Sequence, residues 1–206
     1  MTVPSHDELL FLALGGAGEI GMNLNLYGHA GKWLMIDLGI GFADGTMPGI
    51  EVVMPDPAFI EERRDQLVGI VLTHAHEDHL GAVADLWPRL RAPVYATPFA
   101  ASVLKRKLTE AGLVETVPVT EIPLRGRFSL PPFELELITM THSILEPNAL
   151  AIRTRLGTVF HTGDWKIDPE PLLGDVTDEA VLRRIGEEGA LAMVCDSTNV
   201  FVEGEA

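Results

Sequence analysis

Residues 73–79 read Thr73-His74-Ala75-His76-Glu77-Asp78-His79. His74 and His76 are two apart. On a helix they would point to nearly opposite sides, whereas on an extended strand end or loop both can turn toward one point. Asp78 and His79 follow where the chain begins to curl into a helix. Zinc takes imidazole nitrogen and carboxylate oxygen readily, and two adjacent metals need about this many ligands. Structural zinc sites favour cysteine, and Cys195 is the single cysteine of the chain. The cluster is therefore read as a catalytic metal site.

The elements around the cluster must deliver it. The apolar run Val68-Gly69-Ile70-Val71-Leu72 precedes it and Leu80-Gly81-Ala82-Val83 follows. A buried strand thus ends in a strand–helix loop, where open α/β sheets place their sites. Two other segments have the same form: Leu137–Thr139 leading to His142, and Val159–Phe160 leading to His161-Thr162-Gly163-Asp164. Taken alone, His142 reads as a structural histidine and Asp164 as a turn or cap residue. Beside the cluster both become candidate ligands.

Hydrophobic patterning gives strands at Leu9–Leu14, Asn23–Tyr27 and Lys32–Ile36, with a turn at Gly28–Gly31. Gly39–Pro57 reads as loop, Asp56 or Pro57 to Gln66 as helix, Val68–Leu72 as strand and Gly81–Leu90 as helix. Val94–Ala96 is a strand and Pro98–Ala111 a helix. Strands are expected at Glu115–Val119, Arg127–Leu130 and Phe133–Thr139. A hairpin follows at Leu150–Arg155 and Thr158–His161, then a helix at Thr177–Ile185 and a strand at Leu191–Cys195. Hairpins, βα alternation and hairpins again predict two sheets with helices outside them, not one doubly wound sheet.

Composition bounds the function. The chain has 206 residues, 47% hydrophobic and 22% charged, the profile of a soluble globular domain with a substantial core. A formal charge of −15 opposes polyanion binding without a local basic patch. Lys105-Arg106-Lys107 is the one dense basic run and reads as a solvated helix face. One cysteine excludes an intramolecular disulfide, and Cys195 reads as an inert core thiol. The amino-terminal stretch lacks the basic and apolar regions of a secretory signal, and no apolar run approaches transmembrane length. The cytoplasm is the expected compartment, with no membrane partner.

His74-Ala75-His76-Glu77-Asp78-His79 resembles the HxHxDH motif of the metallo-β-lactamase superfamily. Its later histidine and bridging aspartate match His142 and Asp164, and its early structural aspartate matches Asp37. Gly15-Gly16-Ala17-Gly18-Glu19-Ile20-Gly21-Met22-Asn23, His161-Thr162-Gly163-Asp164-Trp165-Lys166 and Cys195-Asp196-Ser197-Thr198-Asn199 are similar to ribonuclease J, of the β-CASP branch. The resemblance implies an αββα sandwich, α/β in class, with metals at the edge between two mixed sheets. It implies that His74, His76 and His142 hold one zinc, that Asp78 and His79 hold the other, and that Asp164 bridges. Asp78 and Asp164 would be catalytic and Asp37 would fix ligand geometry. The implied substrate is RNA, cleaved endonucleolytically and from the 5′ end. The same donors serve manganese or magnesium, and the family leaves room for a homo-oligomer.

The resemblance also implies that 1–206 is the amino-terminal metallo-β-lactamase segment. The β-CASP insertion should begin near Phe201–Ala206, and the RNA cleft, a further metal-binding histidine and the closing strands would lie beyond. The chain by itself is thus expected to be an incomplete, weakly active or inactive segment. Two rivals keep the cluster: a small-molecule hydrolase of a lactone, thioester or β-lactam, and a non-catalytic metal-binding fragment. Gly16–Gly21 also spells GxGxxG, but Met22–Gly31 alternates and turns where a dinucleotide fold needs a helix.

Overall fold

A computed structural model describes residues 3–43, 45, 47–201 and 203. The expectations for Met1 and Thr2 at the amino terminus, Asp44 and Thr46 in the loop, and Val202 and 204–206 lie outside the described residues.

Strands β1 (Leu9–Gly15), β2 (Leu24–His29) and β3 (Lys32–Ile36) run antiparallel in sequence. The β2–β3 turn puts Ala30 and Gly31 at φ 47° and 79°, a primed-type geometry that matches strand twist. The turn is tighter than expected, because Gly28 and His29 stay paired with Trp33 and Lys32. Inside the expected loop lies a small antiparallel pair, β4 (Gly41–Phe42) and β5 (Val52–Val53), masked in sequence by glycine and proline. The helix expected to Gln66 is one turn, α1 (Ala58–Glu61), followed by a 3₁₀ turn at Arg64–Gln66.

Strand β6 (Leu67–Val71) lies parallel to β3. The single helix expected from Gly81 is two: α2 (Glu77–Leu80), starting inside the motif, and α3 (Val83–Leu90). Then come β7 (Val94–Ala96), α4 (Pro98–Glu110) and β8 (Val119–Glu121). The strand expected at Glu115–Val119 is displaced, since Thr116 and Val117 donate their N–H groups to Leu113 in a turn that follows α4. A meander of β9 (Arg127–Leu130), β10 (Phe133–Thr139), β11 (Asn148–Thr154) and β12 (Gly157–His161) follows. Helix α5 (Glu179–Glu188) is capped by Asp178, whose side chain accepts from Val181 N at 3.2 Å. Strand β13 (Ala192–Val194) pairs parallel with β12.

The first sheet has the order β1-β2-β3-β6-β7-β8 and the second β13-β12-β11-β10-β9. Period-two alternation divides the side chains of each sheet between two faces. Leu24, Leu26, Trp33, Met35 and Ile70 pack outward against Ile60, Leu86 and Leu104 of the helices. Tyr27, Leu34, Ile36 and Val71 face Leu135, Leu150, Ile152 and Val159 of the other sheet. On the far side, Ile138, Ala149 and Ala151 pack under Ile185 of α5. The layers are helix, sheet, sheet, helix: the αββα metallo-β-lactamase fold that the sequence led to. None of the described helices is long and apolar enough to cross a membrane.

Cys195 corrects the sequence reading. The last strand stops at Val194, and Cys195 is exposed rather than a core thiol. An apolar run at a sheet edge is half uncovered, and Met193 and Leu191 are exposed as well.

Candidate metal centre

The carboxyl ends of β3, β6, β10 and β12 meet at one edge of the sandwich, and every candidate ligand lies just past one of them or on the short helix that follows. Asp37 ends β3 in the left-handed region, φ 63°, which a short polar side chain tolerates. The turn aims its carboxylate at the loop after β6. Asp37 Oδ1 accepts from Thr73 N at 2.7 Å and Oδ2 from Thr73 Oγ1 at 2.9 Å. His79 Nδ1 lies 2.8 Å from the same Oδ2.

These bonds settle the histidine tautomers. Thr73 spends its hydroxyl proton on Asp37, so its oxygen accepts from His74 Nδ1 at 3.0 Å. His79 Nδ1 donates to Asp37 in the same way. In both rings Nε2 is left facing the site.

His74 Nε2 is 3.1 Å from His76 Nδ1, and His142 Nε2 is 3.2 Å from that same Nδ1. Ring nitrogens about 2.0–2.1 Å from one zinc and about 100° apart around it would be roughly 3.2 Å from each other, so the triad fits such an ion. Asp164 sits between this triad and His79. Its Oδ1 is 3.3 Å from His79 Nε2 and its Oδ2 is 3.7 Å from His142 Nε2. Asp78 Oδ2 is 3.6 Å from His79 Nε2. Among the described residues, two groups are close enough to hold a cation, His74–His76–His142 and His74–His79–Asp164. The structure therefore brings together all six residues singled out in sequence. Asp78 stands at the margin of the second group, and His74 is shared between the two.

Electrostatics agree with a cation site. Burial holds His74 well below the ordinary imidazole range, helped by the neighbouring His79, His76 and His142. Burial likewise lowers His142. Burial also works against charge on His79, but the Asp37 and Asp164 carboxylates outweigh it and raise the ring to about 10. Burial pushes the Asp164 carboxyl up, but the His79 ring beside it outweighs this and keeps it low. His74 and His142 as neutral imidazoles and Asp164 as a carboxylate are the forms a metal needs, whereas His79, charged without one, would give up its Nε2 proton to bind.

The loop that carries the ligands is built against the loop after β3. Leu38 N donates to His79 O, Ile40 N to Glu77 O, and Asn23 N to Asp78 O, at 2.8, 3.0 and 3.1 Å. A Cβ on Gly39 would lie 1.7 Å from Asp78 O, so this approach requires glycine. Sequence reasoning gave no role to Asn23, whose Nδ2 donates to Asp78 O at 3.1 Å and lies 3.2 Å from His79 Nε2. Its one signal was its place at the end of the glycine motif. His161, grouped by sequence with residues able to bind metal, joins neither ligand group. Its Nδ1 lies 2.8 Å from Tyr27 Oη, and burial lowers its pKa to about 4.

Comparisons with known proteins bear on this centre. Residues 32–183 match the family model described as a β-lactamase superfamily domain. Ribonuclease J of Sinorhizobium meliloti is 53% identical over 202 residues, which cover 96% of this chain and 36% of that protein. Ribonuclease J of Helicobacter pylori is 37% identical over 205 residues, covering 99% of this chain and 30% of that one. The chain thus spans about a third of the length of these relatives. Among solved structures, the metallo-β-lactamase fold protein YhfI of Bacillus subtilis superposes with a TM-score of 0.52 at 16% identity, covering 75% of this chain and 61% of that chain. With half its residues shared with one ribonuclease J and a β-lactamase domain matched across both sheets, the chain belongs to the β-lactamase superfamily as a homologue of ribonuclease J.

Proposed function

We propose that residues 1–206 form the metallo-β-lactamase segment of a ribonuclease J-type enzyme that hydrolyses RNA phosphodiesters. The observation that carries this reading is the convergence of His74 Nε2, His76 Nδ1 and His142 Nε2 beside an Asp164 whose two oxygens face different histidines. His74, His76 and His142 would hold one divalent ion, and Asp78 and His79 the other, with Asp164 between them. Nitrogen and oxygen donors suit zinc, and manganese or magnesium as alternatives. Such ions supply a water of lowered pKa and offset the charge that grows on the phosphate.

The chain's own residues prepare that chemistry. Asp37 and Thr73 hold the His79 and His74 rings so that each presents Nε2 inward. Asp78, whose Oδ2 lies 3.6 Å from His79 Nε2, would orient the attacking water or take its proton. Asn23 anchors the Asp78 backbone.

The test uses bis-p-nitrophenyl phosphate, which needs no RNA groove, alongside 5′-monophosphorylated RNA and nitrocefin. With zinc or manganese added, the chain, expected to be at most weakly active as an incomplete segment, should turn over this small phosphodiester slowly, and Asp78→Asn should lose about 100-fold of that rate. Turnover of nitrocefin with none of either phosphodiester would move the reading to a small-molecule hydrolase.

A further inference from the structure

Helix α4 packs on the outer face of the first sheet, yet it touches both segments that carry the histidine ligands. Lys107 Nζ lies 2.8 Å from Oε1 of Glu77, which stands between His76 and Asp78. Phe99 N donates to Oε2 of Glu146, in the loop that follows His142, at 2.8 Å. The two contacts differ in weight. The Lys107 and Glu77 side chains are 27% and 44% exposed, and an ion pair so open to water contributes little.

Glu146 meets an unfilled need. Phe99 is the second residue of α4, so its N–H has no partner within the helix. The N-cap residue ordinarily supplies an acceptor there, and Thr97 is of the right type. Thr97 makes no cap bond, however, and its Oγ1 is buried without a partner among the described residues. Glu146 brings the missing acceptor from the other sheet's loop, and a carboxylate suits the positive end of a helix.

The loop is shaped to make this bond. Glu146 has φ 56°, a left-handed conformation that glutamate seldom adopts. Asn148 Nδ2 holds it there by donating to Glu146 O at 2.6 Å. Met140 N donates to Pro147 O at 3.0 Å and closes the loop at its base, while Asn148 N donates to Thr73 O, next to His74, at 3.1 Å. Ile144, between His142 and Glu146, packs on the same outer core as Phe99. A loop leaving β10 of the second sheet is thus fastened to the layer outside the first. Strain that the surroundings maintain calls for a purpose. Fixing where His142 comes to rest supplies one.

We propose that Glu146 is a positioning residue for the metal centre: its bond to Phe99 N fastens the His142 loop to α4 and keeps His142 Nε2 at 3.2 Å from His76 Nδ1. The inference rests on the reading of the histidine triad as a metal site. Two substitutions isolate the bond. Glu146→Asn suits the left-handed turn but is too short to reach Phe99 N, whereas Glu146→Gln keeps both the reach and an oxygen acceptor. In a chelator competition titration, Glu146→Asn is expected to weaken zinc binding by about tenfold, and Glu146→Gln to recover most of that loss. Hydrogen exchange on the wild-type chain gives a readout that no variant's misfolding can obscure. By linkage, an ion that holds His142 must also hold its loop. Zinc should therefore slow exchange at Phe99 N more than at Ala101 N, which is bonded within the helix to Thr97 O. Zinc binding with no such difference, full affinity in Glu146→Asn, or equal losses in the two variants would overturn the anchor and leave the metal centre standing. A wild-type chain that binds no zinc would overturn both.

Discussion

Asp37 touches no ligand-facing nitrogen, yet it decides which way two of them point. It takes the Nδ1 proton of His79 directly and that of His74 through Thr73. Partners of this kind typically change metal affinity by about 10–100-fold when removed. Asp37→Asn, which keeps the shape and removes the charge, is expected to weaken zinc binding within that range. A chelator competition titration measures it, and unchanged affinity would mean the rings are held by packing alone. In sequence Asp37 stood out only by resemblance, because its partners lie 36 and 42 residues away. Nothing local signals so distant a bond.

At the scale of elements, two contacts hold the site's frame. The first is the approach of the loop after β3 to α2. Gly39→Ala would drive a Cβ into Asp78 O and should cost about 3 kcal/mol of stability, with loss of zinc binding. Urea denaturation checks the first and metal titration the second. The other contact joins β9, β10, β11 and α5. Glu136 on β10, 4% exposed, receives Arg127, Arg153 and Arg184 at 2.7, 2.8 and 2.6 Å. Burial pushes its carboxyl up, but the three guanidinium groups outweigh this and hold it at about 2, against 4.5 unperturbed. A depressed carboxylate stabilises the fold fully above its unfolded value, and that share is lost as pH falls. Stability from Glu136 should therefore decline between about pH 4.5 and pH 2. Glu136→Gln should be less stable at pH 7 and lose less on acidification, as read from urea midpoints at pH 7 and pH 3. Equal acid sensitivity in the two proteins would refute the assignment.

For the whole molecule, the centre joins the two sheets. His74, His76 and His79 follow β6 of the first sheet, while His142 and Asp164 follow β10 and β12 of the second. An ion bound there would tie the layers together and stabilise the folded state by mass action. Free zinc at about 100 times its dissociation constant should add about 2.7 kcal/mol, reversed by a chelator. His142→Ala should lose most of that gain, since it removes the second sheet's histidine. A melting temperature indifferent to zinc would argue against a site of this kind. Distance in the chain hides such a tie: 66 residues separate His76 from His142.

The sequence by itself determined the fold class, the superfamily and the strand ends from which the candidate ligands come. Period-two apolar runs and the polar residues closing them are local, and local patterns survive in one dimension. It misjudged what packing decides: the division of the Gly81–Leu90 helix, the β4–β5 pair, the displaced strand at Val119 and the exposure of Cys195. At Thr73–His79 the residue types were legible from the start. The tertiary structure alone decided that His76 offers Nδ1 while His74 and His142 offer Nε2, and that Glu146 caps a helix of another layer. Tautomer and cap both follow from partners supplied by other elements, and no spacing within a segment encodes those.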